Sequence, residues 1–282
     1  MADTPVEQPV CGDARHASHV PHGLRKAMRQ DEDAPFVPAM ERARRSAYAP
    51  GEFVDQENFM PSGEILALAV RAGVGPGVSV LDLCCGVAGP GRFITRELAC
   101  TYLGVDHSPS AIALARERAR DLACRFEVSR IPPIPAGPFD VVLLLETMLL
   151  FPDKEALLRE ISPALPIGGR FAFTLEEGQP LTAAERDRMP HADTVRLIPL
   201  SEMVSCLERV GMRVRWQNEC SQSHRAVVDS LITAYTVHES DIAAHIGRRA
   251  LDDLLAAHRL WSDWLREGRV RKFAFVAEKT TG

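Results

Sequence analysis

Apolar positions between residues 61 and 174 follow two alternating patterns. Short apolar runs, typical of buried strands, alternate with segments whose apolar residues have helical spacing, as in a predicted helix at 61–72. The predicted strands are 78–83, 101–105, 125–128, 139–145, 170–174, 213–216 and 270–278. Because strands that alternate with helices form parallel sheets, this pattern predicts an α/β fold with helices on both faces of the sheet.

The segment between the last two predicted strands has a different pattern. Its apolar residues Val227, Val228, Leu231 and Ile232 fall at helical spacing, which predicts a helical insertion. The beginning of the chain is polar, punctuated by proline and without a period, as is typical of a flexible tail. The predicted division is a flexible tail at 1–38, the first part of the core at 39–220, a helical cap at 221–266 and the last core strand at 267–282.

Charge and cysteine content narrow the classes of function. The net charge is −5 and the basic residues are scattered, whereas a nucleic-acid-binding protein concentrates them on one surface. The seven cysteines form no CxxC pair, and neither a signal peptide nor a bilayer-spanning run is apparent. We therefore expect a cytoplasmic protein, a monomer or homodimer, with neither nucleic acid nor membrane as a partner.

Three histidines near the start of the chain raise the question of a metal site. His16, His19 and His22 are spaced three apart, which would bring them together on one face of a helix. Pro21 argues against a helix in this segment. We predict no metal site here.

The segment from Val80 to Arg92 carries the clearest chemical signal. A buried strand runs directly into a turn of small residues and then into a helix, an arrangement that lets a ligand approach the backbone closely. Such a turn also occurs where a strand simply meets a helix. The next strand ends in Asp106, about twenty residues further on, where an acid can accept hydrogen bonds from both hydroxyls of a ribose.

These segments resemble motif I and the following acid of class I S-adenosylmethionine-dependent methyltransferases. Later segments keep the family order at 126–135, 139–143 and 165–171, although Ser129 and Arg130 replace the usual Gly-Asp, whose aspartate receives the adenine amino group. The resemblance covers residues 78–174. The end of the chain is loosely similar to sarcosine and dimethylglycine methyltransferases.

The resemblance implies a Rossmann-like, seven-stranded, mostly parallel sheet with a helical cap inserted before the last strand. It also implies an enzyme that binds S-adenosylmethionine and methylates an O, N or C nucleophile of a small-molecule acceptor. The implied cofactor-binding residues are Gln56, Asp82, Leu83, Cys84, Gly86, Ala88, Asp106, His107, Arg130, Ile131 and Glu146.

Two residues are candidates for a catalytic base. A lone acid such as Glu146 is more often a solvated loop residue, but it follows a central strand at its carboxyl end, where ligands bind in open α/β sheets. An electrostatic role toward the cofactor is also open. His224 lies at the start of the predicted cap, where capping or lining the inserted helix and facing the acceptor are equally open roles. An ordinary imidazole pKa would suit it to accept a proton near neutrality.

Two other functions remain to be weighed. A nicotinamide-dependent dehydrogenase requires an uninterrupted G-x-G-x-x-G and a second mononucleotide half, and Cys84, Gly86 and Gly89 do not give that spacing. A catalytically inactive protein that binds S-adenosylmethionine would share every cofactor motif. Turnover with an acceptor distinguishes such a protein from an enzyme.

Overall fold

A seven-stranded sheet forms the centre of the molecule in the computed structural model, which describes residues 38–57 and 59–281. The strands have the order β3-β2-β1-β4-β5-β7-β6, and β7 alone runs antiparallel to its neighbours. They are β1 (Ser79–Leu83), β2 (Thr101–Asp106), β3 (Cys124–Val128), β4 (Val141–Leu144), β5 (Arg170–Glu177), β6 (Met212–Glu219) and β7 (Arg271–Lys279). The predicted fold class is confirmed. Most of the predicted tail and the three histidines lie outside the described residues.

Ten α-helices accompany the sheet in the described residues, and some of those between the strands begin at a side-chain cap. The Ser108 hydroxyl accepts a hydrogen bond from the Ala111 amide, and the Asp153 carboxylate accepts one from Ala156. The helices are α1 (Pro38–Ala47), α2 (Ser62–Arg71), α3 (Gly89–Leu98), α4 (Pro109–Arg118), α5 (Lys154–Ala164), α6 (Ala183–Arg188), α7 (Leu200–Arg209), α8 (Ser221–Val237), α9 (Glu239–Ile246) and α10 (Arg248–Glu267).

The two faces of the sheet bury separate hydrophobic cores. One face packs against α2, α3 and α4 through residues such as Ile65, Ile94 and Ile112. The other packs against α5 and α7, with Leu158 and Leu207 in its centre. Alternate residues of each strand enter opposite cores.

The helical insertion before β7 forms α8, α9 and α10. Together with α1 these helices enclose a further core that contains Met40, Leu231, Tyr235 and Leu251. The start of α8 is tied to β7, because the Cys220 amide donates to the Lys272 carbonyl and the Lys272 amide donates to the Ser221 hydroxyl. No helix in the described part of the chain is long and apolar enough to cross a membrane.

Some predicted boundaries differ from the structure. β4 ends at Leu144, because Glu146 adopts a positive φ of 61° that takes the chain out of the strand. β5 and β6 are longer than predicted, and α6 was missed although Thr182 and Glu185 form a capping box at its start.

Candidate cofactor and acceptor site

The turn between β1 and α3 is built from residues in the left-handed conformation. Cys84, Gly86 and Ala88 have φ values of 58°, 54° and 55°. Only glycine adopts this region without steric cost, so the surrounding contacts must hold Cys84 and Ala88 there. An added Cβ on Gly86 would have only the flexible end of Glu57 within 4 Å, and the backbone is thus accessible to a ligand.

The carboxylate of Asp106, at the end of β2, stabilises this turn by accepting hydrogen bonds. Its Oδ2 accepts a hydrogen bond from the Gly86 amide and its Oδ1 one from the Ser108 amide, both at 2.9 Å. Burial opposes ionisation, but these bonds and His107, whose Nδ1 lies 3.3 Å from Oδ1, together lower the pKa of Asp106. The carboxylate is therefore ionised, and Oδ2, which accepts from Gly86 alone, retains a lone pair for a further donor such as a ribose hydroxyl.

Asp82 and Leu83 are the last two residues of β1 and lead directly into the turn. The Tyr102 hydroxyl donates to Asp82 Oδ2 at 2.5 Å, and burial still raises the pKa of Asp82 to about 7. Gly91 is required beside this pair, because an added Cβ would overlap the Tyr102 phenol. The Leu83 side chain is buried in the opposite core, so any contact it makes with a ligand comes from its main chain.

The segment that precedes α2 lies directly on the start of α3. An added Cβ on Gly89 would overlap the carbonyl oxygen of Val54. Asp55 forms ion pairs with Arg92 at 2.8 Å and Arg118 at 3.3 Å, from α3 and α4 respectively. This arrangement places Glu57 over the turn.

Gln56 holds the same segment in shape. Its Oε1 accepts from the Val54 amide at 2.5 Å, and its Nε2 donates to the carbonyls of Glu52 and Met60, each at 2.9 Å. Both amide hydrogens are therefore used within the loop. Direct contact between Gln56 and a cofactor stays a prediction.

The contact at Gly89 allows a matched test of the segment's role. We expect Gly89→Ala to displace residues 54–55, to lower the free energy of unfolding by about 1–3 kcal/mol and to weaken S-adenosylmethionine binding. Gly75→Ala is the control, since an added Cβ there meets nothing within 4 Å. Urea denaturation and calorimetry measure both effects. Equal behaviour of the two variants would show that the close contact does not hold the segment in place.

Glu146 occupies the carboxyl end of β4, beside the turn. Its amide donates to the Thr174 hydroxyl at 2.6 Å, and the following residue, Thr147, contacts the Cys84 thiol. The Glu146 carboxylate forms an ion pair with Lys272 of β7, which is fully buried. Lys272 also pairs with Glu176 of β5, directly opposite in the strand register. None of these lysine contacts was predicted from the sequence.

The structure brings His224 to the same carboxylate. Its Nδ1 lies 3.8 Å from Glu146 Oε2, and its ring meets Phe59 edge-on with centroids 4.8 Å apart. The expected near-neutral pKa of His224 is corrected, because burial and the charge of Lys272 lower it well below the usual value. The imidazole is neutral at pH 7, and its Nε2 has no hydrogen-bond partner among the described residues.

Arg130 and Ile131 lie after β3. Arg130 is exposed and forms no ion pair with any residue that the structure describes, whereas Ile131 is half-buried against the core that contains Leu83. Neither position shows how an adenine amino group would be held. Their contact with a cofactor stays a prediction.

Comparison with known proteins agrees with this geometry. A family profile described as a methyltransferase domain matches residues 75–218, just over half of the chain. Methyltransferase GfsG from Streptomyces halstedii is 32% identical over 109 residues, which are 36% of this chain and 39% of that protein. Phosphoethanolamine N-methyltransferase 1 from Arabidopsis thaliana is 35% identical over 99 residues, 34% of this chain and 20% of that protein. The chain thus matches less than two-fifths of the length of these relatives.

A solved structure extends the similarity of the fold to most of the chain. Phosphoethanolamine N-methyltransferase 2 from Haemonchus contortus, in complex with phosphomonomethylethanolamine and S-adenosylhomocysteine, superposes with a TM-score of 0.73 at 18% identity. The match covers 90% of this chain and 59% of that one.

Proposed function

We propose that this chain, which belongs to the methyltransferase domain family, transfers a methyl group from S-adenosylmethionine to a small-molecule acceptor. The observation that carries the proposal is the placement of two carboxylates at the carboxyl ends of β2 and β4, the strands on either side of β1. Asp106 fastens an open turn of left-handed residues, and Glu146 lies beside that turn under the helical insertion. This arrangement provides one place for a nucleoside and another for an acceptor.

The residues of the turn fit the cofactor. The accessible backbone at Gly86 would receive it, and the lone pair left on Asp106 Oδ2 would accept a hydrogen bond from a ribose hydroxyl. When bound, S-adenosylmethionine supplies an electrophilic methyl group on a positively charged sulfur. The segment 51–57 lies over the start of α3 and would exclude water from this side of the site.

The other residues of the site belong to the acceptor side. Glu146 and His224 face each other there, the first as a carboxylate paired with Lys272 and the second as a neutral imidazole. Either group would orient an acceptor or take its proton, and O, N and C nucleophiles are all compatible with this pair. The main contribution of the chain to the rate is the alignment of acceptor and donor in a site from which water is excluded.

Turnover of variants tests the acceptor side. We expect Glu146→Gln and His224→Asn each to lower methyl transfer by roughly a hundredfold or more if the residue handles a proton. Affinity for S-adenosylhomocysteine, which lacks the sulfonium charge, is expected to change little in either variant. Transfer of an isotopically labelled methyl group to a panel of small molecules, with products identified by mass spectrometry, measures this effect.

His258→Asn is the matched control for the histidine variant. His258 contacts Phe59 from another direction, and its Nδ1 lies 2.8 Å from the Leu254 carbonyl oxygen rather than near Glu146. Wild-type turnover in both site variants would mean that the acceptor reacts by proximity alone. Tight cofactor binding with no transfer to any acceptor would favour an inactive S-adenosylmethionine-binding protein.

A further inference from the structure

The cluster of Glu146, Lys272 and Glu176 contains more negative than positive charge. The side chains of Glu146, Lys272 and Glu176 are 7%, 0% and 4% exposed, so water screens them little. One carboxylate would neutralise the lysine, and the second leaves a net charge of −1. An unbalanced buried charge is costly unless a partner of opposite sign is present when the protein works.

The neighbouring titratable groups do not cancel this charge. Burial raises the pKa values of the Tyr48 hydroxyl and of Cys220, the latter to about 12, so both are neutral at pH 7. His224 is neutral as well, and Glu64 adds further negative charge when it is ionised. Among the described residues, the cation that forms an ion pair with Glu146 is Lys272, and Lys272 is already shared between two carboxylates.

Two buried polar atoms at the cluster have neither a hydrogen-bond partner nor an ion-pair partner among the described residues. Neither Oε2 of Glu176 nor Nε2 of His224 has a hydrogen-bond partner among the described residues. Both side chains are more than nine-tenths buried, and His224 faces the Glu146 carboxylate. Unsatisfied polar atoms beside an unbalanced charge indicate a place that a polar or cationic ligand completes.

We propose that this buried −1 cluster stabilises the positive charge that moves from cofactor to acceptor, and that the acceptor is a neutral nitrogen or carbon nucleophile. The proposal rests on the proposed function. In the transfer, the lone pair or π pair of the acceptor forms the new bond to the methyl carbon. The sulfur–carbon bond breaks with its electron pair retained on sulfur. Sulfur loses its positive charge and the methylated acceptor gains it, until a proton leaves to Glu146 or His224.

The same charge disfavours anionic acceptors. A carboxylate, phenolate or thiolate would be repelled by the cluster and has no unpaired cation beside Glu146 in the described part of the site. The cluster does not repel a neutral amine or an alkene, and it attracts the methylated product because that product is positively charged. The substrate class therefore follows from charge rather than from shape.

A pair of cofactor forms provides the probe for this charge. S-adenosylmethionine carries a sulfonium that S-adenosylhomocysteine lacks, so the ratio of their dissociation constants reports the field at the sulfur. We expect Glu176→Gln to reduce the preference for S-adenosylmethionine by about tenfold relative to the wild type, because a poorly screened charge is removed. Glu176 is the best position for this test, because Lys272 lies between it and Glu146. The substitution therefore removes one charge of the cluster and leaves the candidate base Glu146 in place.

Glu278→Gln is the matched control. Glu278 also forms ion pairs, with Arg215 and Arg170, but it lies at the other end of β7 from Lys272. Should Glu176→Gln not fold, Glu146→Gln removes the other carboxylate and is expected to lower the ratio at least as much. An unchanged ratio in a folded carboxylate variant overturns the inference, whereas a wild type that binds neither cofactor form refutes the proposed function instead.

An acceptor panel tests the substrate class itself. With labelled S-adenosylmethionine, we expect products from neutral amines or alkenes and at least about tenfold less from carboxylic acids, phenols and thiols of similar size. Preferential methylation of the anionic compounds would overturn the inference while leaving the methyltransferase assignment intact.

Discussion

Replacing Asp106 by alanine is expected to weaken S-adenosylmethionine binding by at least about a hundredfold. The change would remove the charge-assisted hydrogen bonding proposed for the ribose, worth about 1.5–3 kcal/mol per bond. It also leaves the amides of Gly86 and Ser108 without their acceptor, so the turn loses part of its support. Isothermal titration calorimetry of the folded variant measures the loss.

Asp140→Ala is the control for this variant. Asp140 also accepts two hydrogen bonds, from the Ser79 amide at 2.8 Å and the Ser79 hydroxyl at 2.7 Å. It lies directly before β4, at the amino end of that strand and away from the site. We expect the affinity of Asp140→Ala for S-adenosylmethionine to match that of the wild type. Unchanged affinity in Asp106→Ala would remove this residue from the ribose site.

Replacing Lys272 by methionine is expected to lower the free energy of unfolding by about 3–5 kcal/mol, because it leaves two carboxylates buried without their counter-ion. Urea denaturation at pH 7 measures this loss. Adding Glu176→Gln to the variant is expected to restore part of the stability, since one of the uncompensated charges is then removed.

Lys279→Met provides the comparison on the same strand. Lys279 Nζ donates to the carbonyls of Ser162 and Leu165, at 2.9 and 3.0 Å, and pairs with no carboxylate among the residues that the structure describes. Its loss is expected to cost about 1 kcal/mol. If the two lysine variants were equally stable, the buried cluster would not carry the charges assigned to it.

The fold was predictable because its signals are local. Apolar runs and helical spacing identified all seven strands and the insertion before β7, since each pattern reflects which faces of an element are buried. The end of β4 was not predictable in this way, because the left-handed conformation of Glu146 depends on the Thr174 hydroxyl, which comes from another strand.

The candidate site was predictable only in part. The turn and Asp106 follow strands directly and could be identified along the chain, whereas the contact of Lys272 with Glu146 and Glu176 depends on strand order and register. A weak signal existed, since Glu176 and Lys272 place opposite charges directly beside the runs 171–175 and 273–277, which are apolar except for Thr174. The lowered pKa of His224 could not be predicted, because it arises from burial by residues distant in sequence.

Equilibrium binding to the intact wild-type chain tests the central claim most directly. We predict that S-adenosylmethionine and S-adenosylhomocysteine each bind at one site per chain and compete with each other in calorimetric titrations, and that a nicotinamide dinucleotide does not displace them. Binding of the dinucleotide at this site, with no heat from either S-adenosyl compound, would contradict the assignment.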